Sequence, residues 1–356
     1  MKLGSSNMNI QSQFDIGAVI TTINRPAEEI KQLFQASANS SSPFVVIGDA
    51  KSKFDWSEIG AEYYSLASQK KLDFDSIKTT RENHYARKNI GYLILFEKKC
   101  EWIYETDDDN LPIISPFLPR SLTFEATEYS SSSQDEEGRW VNIYNIFLKS
   151  QNVAHPIWPR GFNLVDINRK INHHQRKING VFSIQQGLAN LDPDVDAIYR
   201  LLFKNEIVFD QIDPVTIGEN NWAPINSQSI WWHMHVQRLM YLPATCSFRL
   251  TDILRGYVAL RIVKSIGHKI SFHSPIVYQV RNEHNLIEDF SGEIKLYTQS
   301  QLIQKVLDGL NLDGLNLTEK LFKCYEALVE IEVVEDEEIK ILQSWCLDCD
   351  SLSVAK

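Results

Sequence analysis

Two short apolar, β-branched runs near the start of the chain, Ile16 to Ile23 (IGAVITTI) and Pro43 to Gly48 (PFVVIG), flank a stretch of helical spacing, EEIKQLFQAS, that opens just after Pro26. Apolar runs of that length with polar ends read as buried strands, and proline suits the first turn of a helix. Strand, helix, strand predicts a doubly wound α/β sheet, because two parallel strands need a crossover between them and a helix supplies it. The fold class also says where to look for function. Ligands of such sheets bind beyond the carboxyl ends of the strands, and Thr21, Thr22, Asn24, Arg25 and Asp49 fall there.

Further along, a helix is predicted from His84 to Lys98, with Tyr85, Ile90, Leu93, Ile94 and Phe96 on its apolar face. It leads into a short strand, Trp102-Ile-Tyr104, and then into Glu105-Thr-Asp-Asp-Asp109, with Pro112 three residues beyond. Ser130 to Gly138 (SSSSQDEEG) reads as an exposed loop or hinge. Ile253 to Ile266 reads as an amphipathic helix, and the chain turns helical beyond Gln299, with breaks at Gly309 and Gly314. The organisation expected is a flexible N-terminus (1–13), one α/β domain (14–298) and a helical region (299–356).

The acidic run is the sharpest chemical feature. Four carboxylates crowded at a strand end disfavour one another's ionisation unless a cation lies between them. Hard oxygen donors suit Mg²⁺ or Mn²⁺, which commonly keep waters and take up substrate phosphates. A solvated acidic turn is the plainer reading of three aspartates; the buried strand before them favours the cation. Charge points the same way. With 36 Lys and Arg against 46 Asp and Glu the formal charge is −10, which argues against a general nucleic-acid or anionic-membrane binder. A phosphate-bearing ligand must then be met by a few placed cations or by a metal.

Five scattered cysteines suit a reducing compartment, and Cys346-Leu-Asp-Cys349 without a second ligand pair reads as helix-packing thiols. The N-terminal residues lack the apolar stretch of a signal peptide, and no run approaches the ~18 apolar residues of a membrane span. A cytoplasmic protein is expected, with peripheral membrane attachment open. His233 and His235 beside Trp231 and Trp232 read as packing or pocket-lining rings, since no third zinc ligand is evident.

Ala86-Arg-Lys-Asn-Ile-Gly91, a helix, and Trp-Ile-Tyr-Glu-Thr-Asp-Asp with Pro112 beyond resemble nucleotide-sugar glycosyltransferases of the GT-A fold. The chain is most similar to the STELLO family, on four ordered blocks: RKNIGYLILFEKKCEWIYETDDD, Trp158-Pro-Arg-Gly161, Ser183-Ile-Gln-Gln-Gly-Leu188 with Pro193-Asp-Val-Asp-Ala197, and Thr251-Asp-Ile-Leu-Arg-Gly-Tyr257. These blocks lie within residues 15 to 290. Two of them also resemble the reversibly glycosylated polypeptides, which are UDP-arabinopyranose mutases.

The resemblance implies a GT-A-like mixed sheet flanked by helices, with a C-terminal helical extension, and a metal-assisted transfer from a nucleotide-diphosphate sugar, UDP favoured, to an unknown glycan or other acceptor. It makes Asp107 and Asp109 the favoured metal ligands for Mn²⁺ or Mg²⁺, with Glu105 and Asp107 as the other pairing and His273 or His284 as a late addition. Thr21, Thr22, Asn24, Arg25, Asp49, Arg87, Asn89, Glu105, Asp108 and Arg160 are the donor-site candidates. Asp252 is the candidate general base, against the plainer reading of a helix N-cap. Arg87 could instead pair with Glu82, and Trp158 either stacks on a sugar or packs on the core. A mutase and a non-catalytic scaffold of a polysaccharide-synthesis complex are the rival functions, and the C-terminal helices offer a surface for oligomerisation.

Overall fold

The computed structural model describes residues 14–131, 138–148, 155–169, 173–280 and 285–354. The Ser- and acid-rich loop lies largely outside these residues, as do His284 and the N-terminal 13.

The strands are β1 (Phe14–Thr21), β2 (Phe44–Ile47), β3 (Glu62–Tyr64), β4 (Cys100–Thr106), β5 (Asn110–Pro112), β6 (Thr123–Ser131), β7 (His173–Leu191), β8 (Val215–Ile217), β9 (Ser229–His233) and β10 (Lys269–Gln279). They form one mixed sheet in the order β3-β2-β1-β4-β9-β7-β6-β8-β10-β5. β1, β2, β3 and β4 run parallel, and β9 reverses the direction. The expected opening is present, with the Glu28–Asn39 helix crossing from β1 to β2. β1 stops at Thr21, two residues short of the apolar run, so Thr22 to Asn24 are freed to turn at the strand end.

Alternation along β1 explains the two cores. Ile16, Ala18 and Ile20 join Ile30, Leu33 and Trp56 on one face, while Val19 joins a larger cluster on the other, with the Lys88–Glu97 helix. That helix lies unusually close to the sheet. A Cβ on Gly91 would stand 2.5 Å from Val19 Cγ2 and 2.9 Å from Ile47 Cγ1, so only glycine lets the helix lie against β1 and β2. The expected helix start at His84 is a capped 3₁₀ turn, Tyr85–Arg87, with His84 Nδ1 accepting from the Ala86 N–H at 3.0 Å.

The Thr251–Ser265 helix corrects the amphipathic expectation. Its charged Asp252 and Arg255 are 5% and 1% exposed, because each is paired from within the core. The later helices are Leu286–Asp308, Leu317–Glu330 and Glu337–Val354. The first begins at an Asn285 cap and runs unbroken through residue 298, across the boundary expected there. Trp345 packs edge-on against Tyr92 and Phe96, and Glu338 accepts from the Tyr241 hydroxyl, the Ala244 and Thr245 N–H groups and the Thr245 hydroxyl. Cys346 and Cys349 are buried thiols on the last helix. No described helix is long and apolar enough to cross a membrane.

Candidate active site

A cavity of about 640 Å³ opens beyond the carboxyl ends of β1, β2 and β4, lined on one side by Thr21, Thr22, Asn24 and Asp49 and on the other by Asp107, Asp108 and Asp109. Arg160, Asp194 and Asp252 close its inner wall. Parallel strands ending in polar residues build such a crevice by construction.

The acids after β4 have different tasks. Glu105 is fully buried, accepts from the Tyr92 hydroxyl and pairs with Arg255, so it braces β4 against the Thr251–Ser265 helix and does not line the cavity. Asp108 turns back to β1, accepting from the Thr22 hydroxyl and from Asn24 Nδ2 at 3.0 Å. Asp109 accepts from Gln279 Nε2 at 3.0 and 3.1 Å. Asp107 accepts from the Tyr85 hydroxyl at 3.1 Å and has Lys88 Nζ at 3.6 Å. Burial, with Asp109 and Asp252 nearby, pushes Asp107 up to about 7 against the pull of Lys88. Lys88 itself is buried, its Nζ donating to Tyr85 Oη at 2.6 Å and to the Thr106 carbonyl at 3.1 Å.

The inner wall is an ion cluster. Arg160 donates to Asp194 from Nε (2.9 Å) and Nη2 (2.8 Å), and to Asp252 from Nη1 and Nη2 (both 2.9 Å). Asp252 also accepts from the Ser227 N–H at 3.2 Å. Burial alone would raise the Asp252 carboxyl, but Arg160 outweighs it and holds the group below the usual carboxylate range. Asp252 therefore does not act as a helix cap; no side chain caps that helix. Three sequence blocks far apart in the chain meet in this one cluster.

Other sequence candidates lie elsewhere. Arg87 is buried and donates to Gln69 Oε1 and the Thr80 carbonyl, while Asn89 exchanges hydrogen bonds with the Leu242 backbone. Both polar groups are consumed in fixing the helix. Arg25 lies outside the cavity with its guanidinium over the Phe54 ring at 5.7 Å. His273 sits within β10, its Nε2 2.9 Å from Ser271 Oγ, and burial pushes its ring down to about 3. Asp49 lines the cavity but spends its oxygens on the N–H groups of Ala50, Asn83 and His84. Trp158 is 3% exposed and donates to Asp196, so it packs on the core.

Residues that local pattern did not assign to the site include Tyr85, Lys88, Asp194, Gln228, Phe248, Arg249 and Gln279. Of these, Lys88 and Asp194 carried a signal, in the Arg-Lys-Asn-Ile-Gly and PDVDA blocks. Phe248 is 56% exposed at the cavity and lies edge-on to Tyr85 at 5.3 Å.

Residues 249–355, which begin beside this cluster and run through the helices behind it, match the family model of the STELLO glycosyltransferases. Over those residues the chain is similar to that family. STELLO similarity extends well beyond the matched segment: two Arabidopsis thaliana proteins, "Probable glycosyltransferase STELLO1" and "Probable glycosyltransferase STELLO2", are each 24% identical over 347 residues, 93% of this chain. The alignment takes up 44% of either relative, so the chain spans less than half the length of the STELLO proteins it matches. The mixed sheet flanked by helices agrees with the GT-A-like architecture expected for a STELLO-type chain.

Proposed function

We propose that this chain is a glycosyltransferase that moves a sugar from a nucleoside-diphosphate sugar, a UDP-sugar in the favoured case, to a hydroxyl acceptor. One observation carries the reading: Asp107 and Asp109 share a single cavity with the Arg160–Asp194–Asp252 cluster. Six aspartates line that cavity against Lys51, Arg160 and Arg249, and both arginines are already paired with acids. A diphosphate entering it needs added positive charge.

The donor set fits Mn²⁺ or Mg²⁺. Among the described residues no group of three or more His, Cys, Asp or Glu side chains converges as a metal cage, whereas an ion bound by one or two carboxylates with substrate phosphates needs none. Asp107 and Asp109 would hold it. When bound, the ion supplies Lewis-acid neutralisation of the departing diphosphate.

The chain's own residues do the rest. Tyr85 and Lys88 fix Asp107, and Gln279 fixes Asp109. Arg160 holds Asp252 ionised and oriented beside the cavity, ready to accept a hydrogen bond from an acceptor hydroxyl. Such a well-satisfied carboxylate is a weak proton acceptor, so its first contribution is orientation. Calorimetric titration of UDP-sugars with and without Mn²⁺ tests the reading: Asp107→Ala is expected to abolish the Mn²⁺-dependent heat with the fold intact, and an unchanged heat would overturn the assignment. Product analysis after incubation with donor alone separates transfer from mutase chemistry.

A further inference from the structure

The segment Asp192 to Asp196 is a wall between two cavities. Asp194 faces the active-site cavity, while Asp192, Pro193 and Val195 line a second one of about 370 Å³, within the size range of small-molecule sites. Asp192 and Asp194 are two residues apart, so at most about 7 Å of chain separates the two sides. The wall is stiff: Gln228, which lines the first cavity, donates to the Asp192 carbonyl at 3.0 Å, and Arg200 donates to Asp192 Oδ1 at 2.7 Å and the Pro193 carbonyl at 2.8 Å.

The second cavity has the features of a site still lacking its ligand's hydrogen bonds. Tyr199 is 2% exposed, yet its hydroxyl has no partner in hydrogen-bond geometry; the exposed Asn205 side chain comes near without completing one. Arg200 Nε is likewise buried and unpartnered. Leaving such groups dry is unfavourable, and a ligand's hydrogen bonds would relieve it. Beside them Phe203, stacked by His155 at 4.4 Å and packed by Tyr199 at 5.1 Å, gives the wall a partly exposed aromatic surface. Pro193, Val195 and Ile207 supply apolar floor. The charges balance, Arg200 and Lys204 against Asp192 and Glu206, which does not favour a strongly anionic ligand.

An apolar and aromatic surface flanked by hydroxyl, guanidinium and carboxylate groups, with no net charge, fits a pyranose ring, which has C–H faces and a hydroxyl rim. We propose that the second cavity binds a neutral pyranose residue of the acceptor glycan, whose neighbouring residue passes over Asp192–Asp194 to the active site. The acceptor role rests on the glycosyltransferase reading; the sugar binding does not.

Saturation-transfer NMR with maltotetraose, mannotetraose and xylotetraose on the full chain tests it. At least one is expected to receive saturation. Tyr199→Phe, which only removes an unpartnered hydroxyl, is expected to weaken that binding roughly fivefold, one net hydrogen bond, with a melting temperature no lower than the parent's. Phe203→Ala is expected to remove the signal, and calorimetric binding of UDP-glucose with Mn²⁺ stays unchanged in both variants. No transfer to any of the three, or transfer that survives Phe203→Ala, overturns the proposal. Oligosaccharide binding without UDP-glucose binding would sink the donor reading and leave the second cavity standing.

Discussion

Replacing Arg160 by Met tests whether the buried ion cluster holds the inner wall together. Met keeps much of the side-chain volume but removes the guanidinium, leaving Asp194 and Asp252, which are 6% and 5% exposed, without the cation that bonds both at 2.8 and 2.9 Å. Taking one partner from a buried pair costs about 3–5 kcal/mol. For a 356-residue chain, an unfolding entropy of about 2.1 cal/mol/K per residue totals roughly 0.75 kcal/mol/K, so the melting temperature should fall by roughly 4–7 °C. The loss has a pH signature. In the parent, Arg160 keeps the Asp252 pKa below its ordinary value; in the variant burial acts on Asp252 unopposed by Arg160 and raises it, so the folded variant binds more protons than the unfolded chain and loses stability as pH increases. Melting by differential scanning fluorimetry should thus show a large deficit at pH 8 that narrows at pH 5. Arg160→Lys should recover little, since an ammonium cannot fork to two carboxylates. Equal melting of parent and variant at pH 8, or a deficit that does not change with pH, would refute the reasoning.

Three other outcomes are expected. Glu105→Gln strands Arg255 in the core and should lower stability by about 3–5 kcal/mol in urea titration; a parent-like midpoint would return Glu105 to the list of donor contacts. Gly91→Ala drives a methyl into Val19 and Ile47 and should cost about 1–3 kcal/mol, which a melting temperature equal to the parent's would contradict. Burial pushes Asp196 up to about 6, against the hydrogen bonds it accepts from the Tyr199 N–H and Trp158. Its folded pKa exceeds the unfolded one, so ionisation between about pH 4 and 6 removes stability. Asp196→Asn should flatten the melting-temperature slope across that window, and an unchanged slope would count against the assignment.

The sheet and the position of the crevice were legible because β-branched runs, a proline and the acids after Tyr104 are local signals. What each charged group does was not. Glu105 and Asp107 look equivalent in sequence, but which one enters the cavity depends on β4 ending at Thr106, between them, and on Arg255, 150 residues away. Arg87 sits on the helix expected to carry donor contacts, yet Gln69 and Thr80 draw it inward. The Thr251–Ser265 helix read as amphipathic because its charges carry no mark of being paired by Arg160 and Glu105. Partners of that kind are set by packing between distant blocks, beyond the reach of periodicity.

The grip of Glu338 on residues 241 to 245 has a temporal consequence. The Thr245 backbone waits for a carboxylate 93 positions downstream, and Phe248, Arg249 and Asp252 follow directly on that anchor. During synthesis, at about 5–20 residues per second, the ribosome exposes this wall of the cavity several seconds before it delivers the residue that fixes it. The nascent chain therefore passes through an interval with its strands available for pairing and its cavity wall unset, when a chaperone would find most to bind.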